Sequence, residues 1–191
     1  MPSESDFAAP QNSTVAASQN SSTAASQNSS IVRPWLQQGW VEHTQILLNS
    51  FHQWTQRELI PRHGTPDEQA EALFNAPIVV VSHGIEDDPI LNYGNQTALD
   101  LWQIAIPTLL KTPSRLTAEP VHRDERARLL ERTSRDGYVD DYQGIRISTS
   151  GRRFRIRQAL VWNLVDAGGR RVGQAATFSS WEWLDSIPVT K

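Results

Sequence analysis

The stretch from Gly151 to Phe178, GRRFRIRQALVWNLVDAGGRRVGQAATF, limits what this chain can fold into more than any other. Phe154, Ile156, Leu160, Trp162 and Leu164 share one parity. Arg153, Arg155 and Arg157 share the other, which then passes to Ala159, Val161 and Val165. A period of two is the signature of a strand, with one apolar face and one face that starts out cationic. Asp166-Ala167-Gly168-Gly169 supplies residues that tolerate the positive φ of a reversal. The returning strand puts Val172, Gln174, Ala176 and Phe178 on one side. Tyr138 to Ser148 forms an earlier strand, and Thr149-Ser150-Gly151 turns it into the next. The reading is a three-stranded antiparallel meander.

Upstream, Trp40, Thr44, Leu47, Leu48, Phe51 and Trp54 fall close to helical spacing, which predicts a helix stopped by Pro61 to Gly64. Thr65-Pro66-Asp67-Glu68 is a start signal: Thr65 caps, Pro66 suits the first turn, and Glu68 completes a capping box. Ala76-Pro77 ends that second helix. Ile78 to Val81 reads as a buried strand, Glu86 to Pro89 as an acidic turn, and Ile90 to Tyr93 as a second strand. Asn95 caps a short helix carrying Ala98, Leu101 and Trp102. Pro107 to Pro113 reads as an irregular connection. A helix from about Glu119 to Asp136, with Val121, Leu129, Leu130 and Thr133 inward, ends at Gly137. Trp181 to Leu184 docks as a tail. The expected domain is α+β: a five-stranded antiparallel sheet with helices on one face, preceded by two N-terminal helices, in an arrangement like a PAS domain.

The division expected is a low-complexity tail over 1–33, an N-terminal helical segment over 34–77 and the core over 78–187. The tail carries a decaying repeat, QNSTVAAS, QNSSTAAS and QNSSIV, with almost nothing to bury, so it is expected to be disordered. Asn12, Asn20 and Asn28 match the glycosylation sequon, but no secretory signal precedes them and a solvated tail is expected. The net charge of −3 argues against a general nucleic-acid binder. The chain has no cysteine, so disulfides and thiolate chemistry are excluded, which fits a cytoplasmic protein. No apolar run approaches the roughly 18 residues of a membrane span.

Few residues suggest chemistry. His43, His52, His63, His83 and His122 show no metal-ligand spacing, and the acidic turn at Glu86, Asp87 and Asp88 reads as a solvated loop. No spacing suggests a nucleophile–base–acid triad around Ser114. The arginine row is expected to be a solvated face paired with Asp140 or Asp141, while Arg115, Arg146 and Arg152 are open to recruitment by an acidic ligand. Gln158 and Gln174 share the parity of large apolar residues. If that parity faces inward, two amides line an apolar cavity, and each needs partners in the backbone, water or a ligand.

Several motifs together resemble the MEKHLA domain, a PAS-related family found as stand-alone bacterial proteins and at the C-terminus of plant class III homeodomain–leucine zipper transcription factors. They are Ser82-His83-Gly84, Asp88 to Asn95 with Ala98-Leu99 and Leu101-Trp102, Pro113 to Pro120, Arg126 with Leu129-Leu130, Gly144 to Ser148, Gly151 to Ile156, Val161 to Asp166, and Gly173 to Ala176. The likeness runs from about Gln45 to Leu184. The homeodomain, the zipper and the letter string that names the domain are absent, so DNA binding does not carry over. The resemblance implies a PAS-like fold and a sensing or binding role. It supplies no ligand, cofactor or catalytic residue.

The expected function is therefore a sensory or binding module that takes a small, flat, mostly apolar ligand and signals through partner proteins. The alternative is a ligand-free interaction module whose own side chains fill the cavity, and an enzyme ranks last. The pocket is expected to be lined by Tyr93, Trp102, Gln158, Trp162 and Gln174, with Asn95 at its rim. A tight turn after Val165 places Trp162 and Gln174 opposite or nearly so. Such walls suit a heterocycle and suit a phosphate poorly, because no arginine shares the inward parity beyond the strand ends. The stripe on the first helix offers a homodimer contact, or else it covers the sheet within one chain. Deleting residues 2–32 should leave the melting temperature unchanged; a fall of many degrees would show that the tail packs.

Overall fold

The structure, a computed structural model, describes residues 33–119 and 123–184. The tail up to Val32, the expected inner position Val121, His122 and the end of the chain past Leu184 lie outside the described residues. After a 3-10 turn at Pro34–Leu36 come α1 (Gln38–Thr55), α2 (Pro66–Phe74), β1 (Val79–His83), β2 (Leu91–Gly94), α3 (Gln96–Trp102) and α4 (Ile106–Leu109). A second 3-10 turn, Ser114–Thr117, leads to α5 (Arg123–Asp136), β3 (Tyr138–Ile147), β4 (Arg153–Val165), β5 (Arg171–Phe178) and β6 (Trp181–Leu184). All strand pairings are antiparallel, in the order β2-β1-β5-β4-β3, with β6 beside β4.

Local chemistry sets most boundaries. Thr65 Oγ1 accepts from the Glu68 amide while Glu68 accepts from the Thr65 amide, so the capping box is complete. Gln56, at φ 56°, closes α1 before the proline-rich stretch is reached. Gly137, at φ 89°, follows α5, and a side chain there would lie 2.5 Å from the Trp54 ring. The connection around Pro107 is more regular than expected, because Pro107 and its neighbours fold as the one-turn α4. The docked tail forms a sixth strand: β5 leaves β4 after Leu160, and β6 pairs with Arg153 to Ile156 along the same edge.

The sheet has two buried faces. Pairing between β3 and β4 shifts twice, once between Val139 and Tyr142 and once between Tyr142 and Gly144. The second shift inserts an extra residue in β4 near Arg157 and Gln158. A bulge of this kind reverses the parity of everything beyond it. Ile156, Ala159 and Val161 therefore share one face, while Leu160, Trp162 and Leu164 turn to the other. The single apolar parity expected for Phe154 through Leu164 is broken there. The face bearing Ile156 is covered by α3, α4 and α5. The face bearing Trp162 is covered by α1, with Phe51 edge-on to Trp162 at 5.2 Å between ring centres.

The helices thus cover both faces, and the apolar stripe of α1 is taken up within the chain. Thr44, Leu47 and Leu48 are wholly buried and Phe51 is 5% exposed. This removes the stripe as a contact for a second copy, because burial against the subunit's own sheet uses the same surface. Ser50 Oγ exchanges hydrogen bonds with the amide and carbonyl of Val165, and Trp54 Nε1 donates to Asn163 O at 2.9 Å. The arginine row also finds different partners. Glu182 on β6 meets Arg155 and Arg157, Glu119 meets Arg153 at 2.9 Å, and Asp141 pairs with Arg132 at 3.0 Å. The sixth strand and Glu119, not β3, supply the acids.

Beneath α1, His43 stacks on Tyr93 and its Nε2 lies 2.8 Å from Ser82 Oγ. The Ser82 hydroxyl donates to Asn92 Oδ1 at 2.6 Å, so His43 is the donor to Ser82. Desolvation pushes the imidazole down from 6.5 to about 4. The unfolded chain takes up this proton near pH 6.5 and the folded chain only near 4. The contribution to stability is therefore complete above pH 6.5 and is lost as pH falls toward 4, on the order of 3 kcal/mol. Denaturant unfolding from pH 7 to 4 should show this loss, and His43→Gln should flatten it. Equal slopes in the two proteins would show that His43 is not the titrating group.

Candidate functional site

The face of the sheet under α3, α4 and α5 encloses a cavity of about 70 Å³. Its apolar wall comes from the strands: Val81 on β1, Leu91 on β2, Ile156, Ala159 and Val161 on β4, and Ala176 on β5, with Leu129 and Leu130 of α5 opposite. Its polar groups come from strands and from the segments that cover them. Trp102 sits at the end of α3, Ser114 on the second 3-10 turn, Tyr142 and Arg146 on β3, His83 at the end of β1, and Gln174 on β5. Leu91, Trp102 and Thr117 also line an adjoining groove of about 310 Å³, so they stand between the cavity and the outside.

Trp102 is placed from two directions. Its ring meets Phe154 edge-on at 5.2 Å, and Phe178 at 6.2 Å. The turn between β3 and β4 holds the end of its helix: the Thr149 amide donates to Trp102 O at 3.0 Å and the Thr149 hydroxyl to Gln103 O at 2.6 Å. These bonds satisfy carbonyls that a helix end leaves open. Gln103, at φ 54°, turns the chain away immediately afterwards. Among the described residues the Trp102 Nε1 and Ser114 Oγ have no hydrogen-bond partner, although both residues are buried.

Arg146 is the unusual member. Its side chain points into the cavity and the residue is 7% exposed. Among the described residues it makes one hydrogen bond, to Ile145 O at 2.9 Å, and lies 5.0 Å above the Tyr142 ring. No described carboxylate pairs with it. A cation over a ring gives about 2 kcal/mol when desolvated and one charged hydrogen bond about 1.5–3. Withdrawing a guanidinium from water costs several kcal/mol, so these two contacts at best offset it. Gly144, two residues away, makes room for the pair; a side chain there would strike the Tyr142 hydroxyl and approach Arg146 Nη1 to 3.2 Å.

Of the six residues expected to form a pocket, Trp102 and Gln174 line this cavity. The other four are displaced from it, each for an identifiable reason. Trp162 pairs with Ala175 and Gln174 with Asn163, so the two are nearly opposite as expected, but an offset of one residue puts them on opposite faces and Trp162 lies on the α1 face. Tyr93 pairs with Ser82 on that same face, 4.8 Å from Trp40, where burial raises its hydroxyl above the ordinary range. Gln158 lies at the bulge and is exposed, beside a groove with Asp140 and Thr177. Asn95 is wholly buried and is not at a rim. Its Oδ1 accepts from the amides of Val80 and Ala98, and its Nδ2 donates to Ile78 O at 2.7 Å and lies 3.3 Å from Ala76 O.

Gln174 reaches the wall already engaged. Its Nε2, with two hydrogens to donate, lies 2.9 Å from Asn163 Oδ1, 3.0 Å from Leu130 O and 3.1 Å from Ser134 Oγ. Asn163 in turn donates to Thr133 O at 2.9 Å, so two amides hold the last turns of α5 on the sheet. Arg146 and Ser114 went unseen as lining residues. Strand parity gives Arg146 no inward signal without the pairing register, and Ser114 lies in a stretch with no period. No arginine is expected to share the inward parity beyond the strand ends; Arg146, next to the last residue of β3, lies across from Phe154 on the cavity side.

A family model described as "MEKHLA domain" matches residues 41–183. A search of the curated proteins finds no match. Among solved structures, the PAS domain of a protein from Colwellia psychrerythraea is similar with a TM-score of 0.51 at 12% identity, over 58% of this chain and 91% of that one. An RNA-binding light-oxygen-voltage receptor is similar with a TM-score of 0.50 at 17% identity, over 66% of this chain and 34% of the receptor. Likeness at these identities is a likeness of fold.

Gln174→Leu should destabilise the protein by about 1–3 kcal/mol, because it leaves Asn163 Oδ1 buried and unpaired. Gln158→Leu should cost less than about 0.5 kcal/mol, as exposed substitutions usually do. Denaturant unfolding of both variants checks the contrast, and equal losses would contradict the separation of the two amides by the bulge.

Proposed function

The chain belongs to the MEKHLA domain family, and from that premise we propose that it is a PAS-like sensory module whose cavity takes a small ligand and whose outer surface answers to partner proteins. One observation carries the reading: the buried Trp102 Nε1 and Ser114 Oγ have no protein partner among the described residues, and they line the same cavity as Arg146, a buried guanidinium with no carboxylate beside it. Buried polar groups are ordinarily paired, so such a site is built for a guest or for water. The cavity offers a route outward as well. Trp102 lines the cavity, and the helix it ends is bonded to the exposed turn between β3 and β4. A ligand that moves Trp102 would move that turn. Partner contacts fall on surfaces other than the apolar stripe of α1.

We read the module as non-catalytic. Ser82 and His43 form a hydrogen-bonded pair, but the serine hydroxyl donates to Asn92 beneath α1 and Ser82 is 1% exposed. A nucleophile needs access to its substrate.

The volume of about 70 Å³ favours a second reading, because drug-sized ligands occupy about 300–1,000 Å³. On that reading the cavity is a nearly filled core and the domain works as a ligand-free interaction module. Native mass measurement of the purified full chain separates the two, with thermal unfolding against a panel of small metabolites. The sensory reading expects a small adduct that leaves on denaturation, or a raised melting temperature with one chemical class. A bare mass together with no thermal response to any class would favour the interaction module. A bound flavin or haem is not expected, since neither fits the cavity.

A further inference from the structure

We infer that the ligand is a small organic carboxylate, with its charge on Arg146 and its hydrocarbon body against the strands. The inference rests on the reading of the cavity as a ligand site and names the chemistry of that ligand. Arg115, Arg132, Arg135, Arg153, Arg155, Arg157 and Arg170 all meet a carboxylate, and their side chains are 38–84% exposed. Arg146 is 7% exposed and meets none among the described residues. Arg57, Arg62, Arg152 and Arg171 also meet no acid among the described residues, but they are exposed or half-exposed; Arg146 is the buried arginine there, and solvation favours an acid beside it most. A guanidinium cannot shed its charge, so burial cannot neutralise it. The missing acid is best supplied by a guest.

The neighbours agree. Arg146 pairs across the strands with Phe154, and the Trp102 ring meets that of Phe154 edge-on at 5.2 Å. The indole N–H and the Ser114 hydroxyl can donate to an anion, and neither has a protein partner among the described residues. The planar fork of a guanidinium matches a carboxylate with two parallel hydrogen bonds. One fixed positive charge balances one negative charge, which suits a monocarboxylate better than a phosphate dianion. Ile156, Ala159, Val161 and Leu129 offer an apolar wall for a short chain, and the volume limits its length.

The test uses the full chain with sodium butyrate, butyramide and inorganic phosphate, all at ionic strength matched with sodium chloride. Tryptophan fluorescence and the melting temperature are read. Butyrate should change both in a saturable way, and butyramide and phosphate should not. Arg146→Met should weaken butyrate by at least about 30-fold, the loss usual for one partner of a buried ion pair. Without butyrate it should melt no lower than the parent, because it removes an unpaired buried charge. Ser114→Ala should weaken butyrate about 5- to 10-fold, as loss of one hydrogen bond does, and it answers the question if Arg146→Met does not fold. Butyramide acting as well as butyrate, with Arg146→Met unchanged, would overturn the charge assignment and leave the ligand site standing. A response to phosphate alone would likewise overturn the carboxylate. No response to any probe, with Arg146→Met melting lower than the parent, would make Arg146 a structural residue; the native mass then decides whether a ligand of another kind exists.

Discussion

The extra residue in β4 near Arg157 and Gln158 is the constraint on which the rest depends. β4 is the longest strand and it pairs with β3, β5 and β6. A strand that alternates without interruption presents one side chain set to each face from end to end. The bulge lets the first half of β4 send Phe154 and Ile156 to the cavity face while the second half sends Leu160, Trp162 and Leu164 to α1. The neighbouring edge changes partner at the same place, from β6 to β5. One inserted residue thus coordinates two helical layers and the sixth strand.

Each layer is then held by buried side-chain amides. Asn163 joins the two: its carbonyl accepts from Trp54 of α1, its amide donates to Gly137 O, and its side chain holds α5 with Gln174. Asn95 does the same for the corner where α2 ends and β1 and α3 begin. Buried amides of this kind are stabilising only when every donor and acceptor is met, and here they are met by backbone groups. By the same standard Trp102 Nε1 and Ser114 Oγ at the cavity, like Trp162 Nε1 under α1, lack partners among the described residues, and Arg146 has the backbone of Ile145 but no carboxylate.

The cavity brings the Trp102 and Ser114 donors together with the Arg146 guanidinium. Its walls belong to strands, which are rigid, and its donors belong to α3, the second 3-10 turn and β3. A guest held by these donors would couple the helical layer to the sheet, the coupling a sensory module requires. The α1 layer on the opposite face is aromatic, with Trp40, Phe51, Tyr93 and Trp162 packed together or against neighbours, and it closes the sheet.

Much of this architecture was legible in the residues. The capping box at Thr65, the cap at Asn95, the meander and its turns, and the α+β class all rest on local rules of period and turn chemistry, which act within a few residues. The likeness of motifs from Gln45 to Leu184 carried the family, which the match over residues 41–183 shows. Which residues meet in the cavity could not be read in the same way. Parity along a strand is local, but a bulge or a register step of one residue reverses it, and both arise from pairing between distant segments. Trp162 and Tyr93 went to α1 and Arg146 came to the cavity for that reason. The sequence by itself determined the elements and their order. Only the tertiary structure decided which side of the sheet each side chain serves, because that choice depends on contacts between strands that the sequence separates.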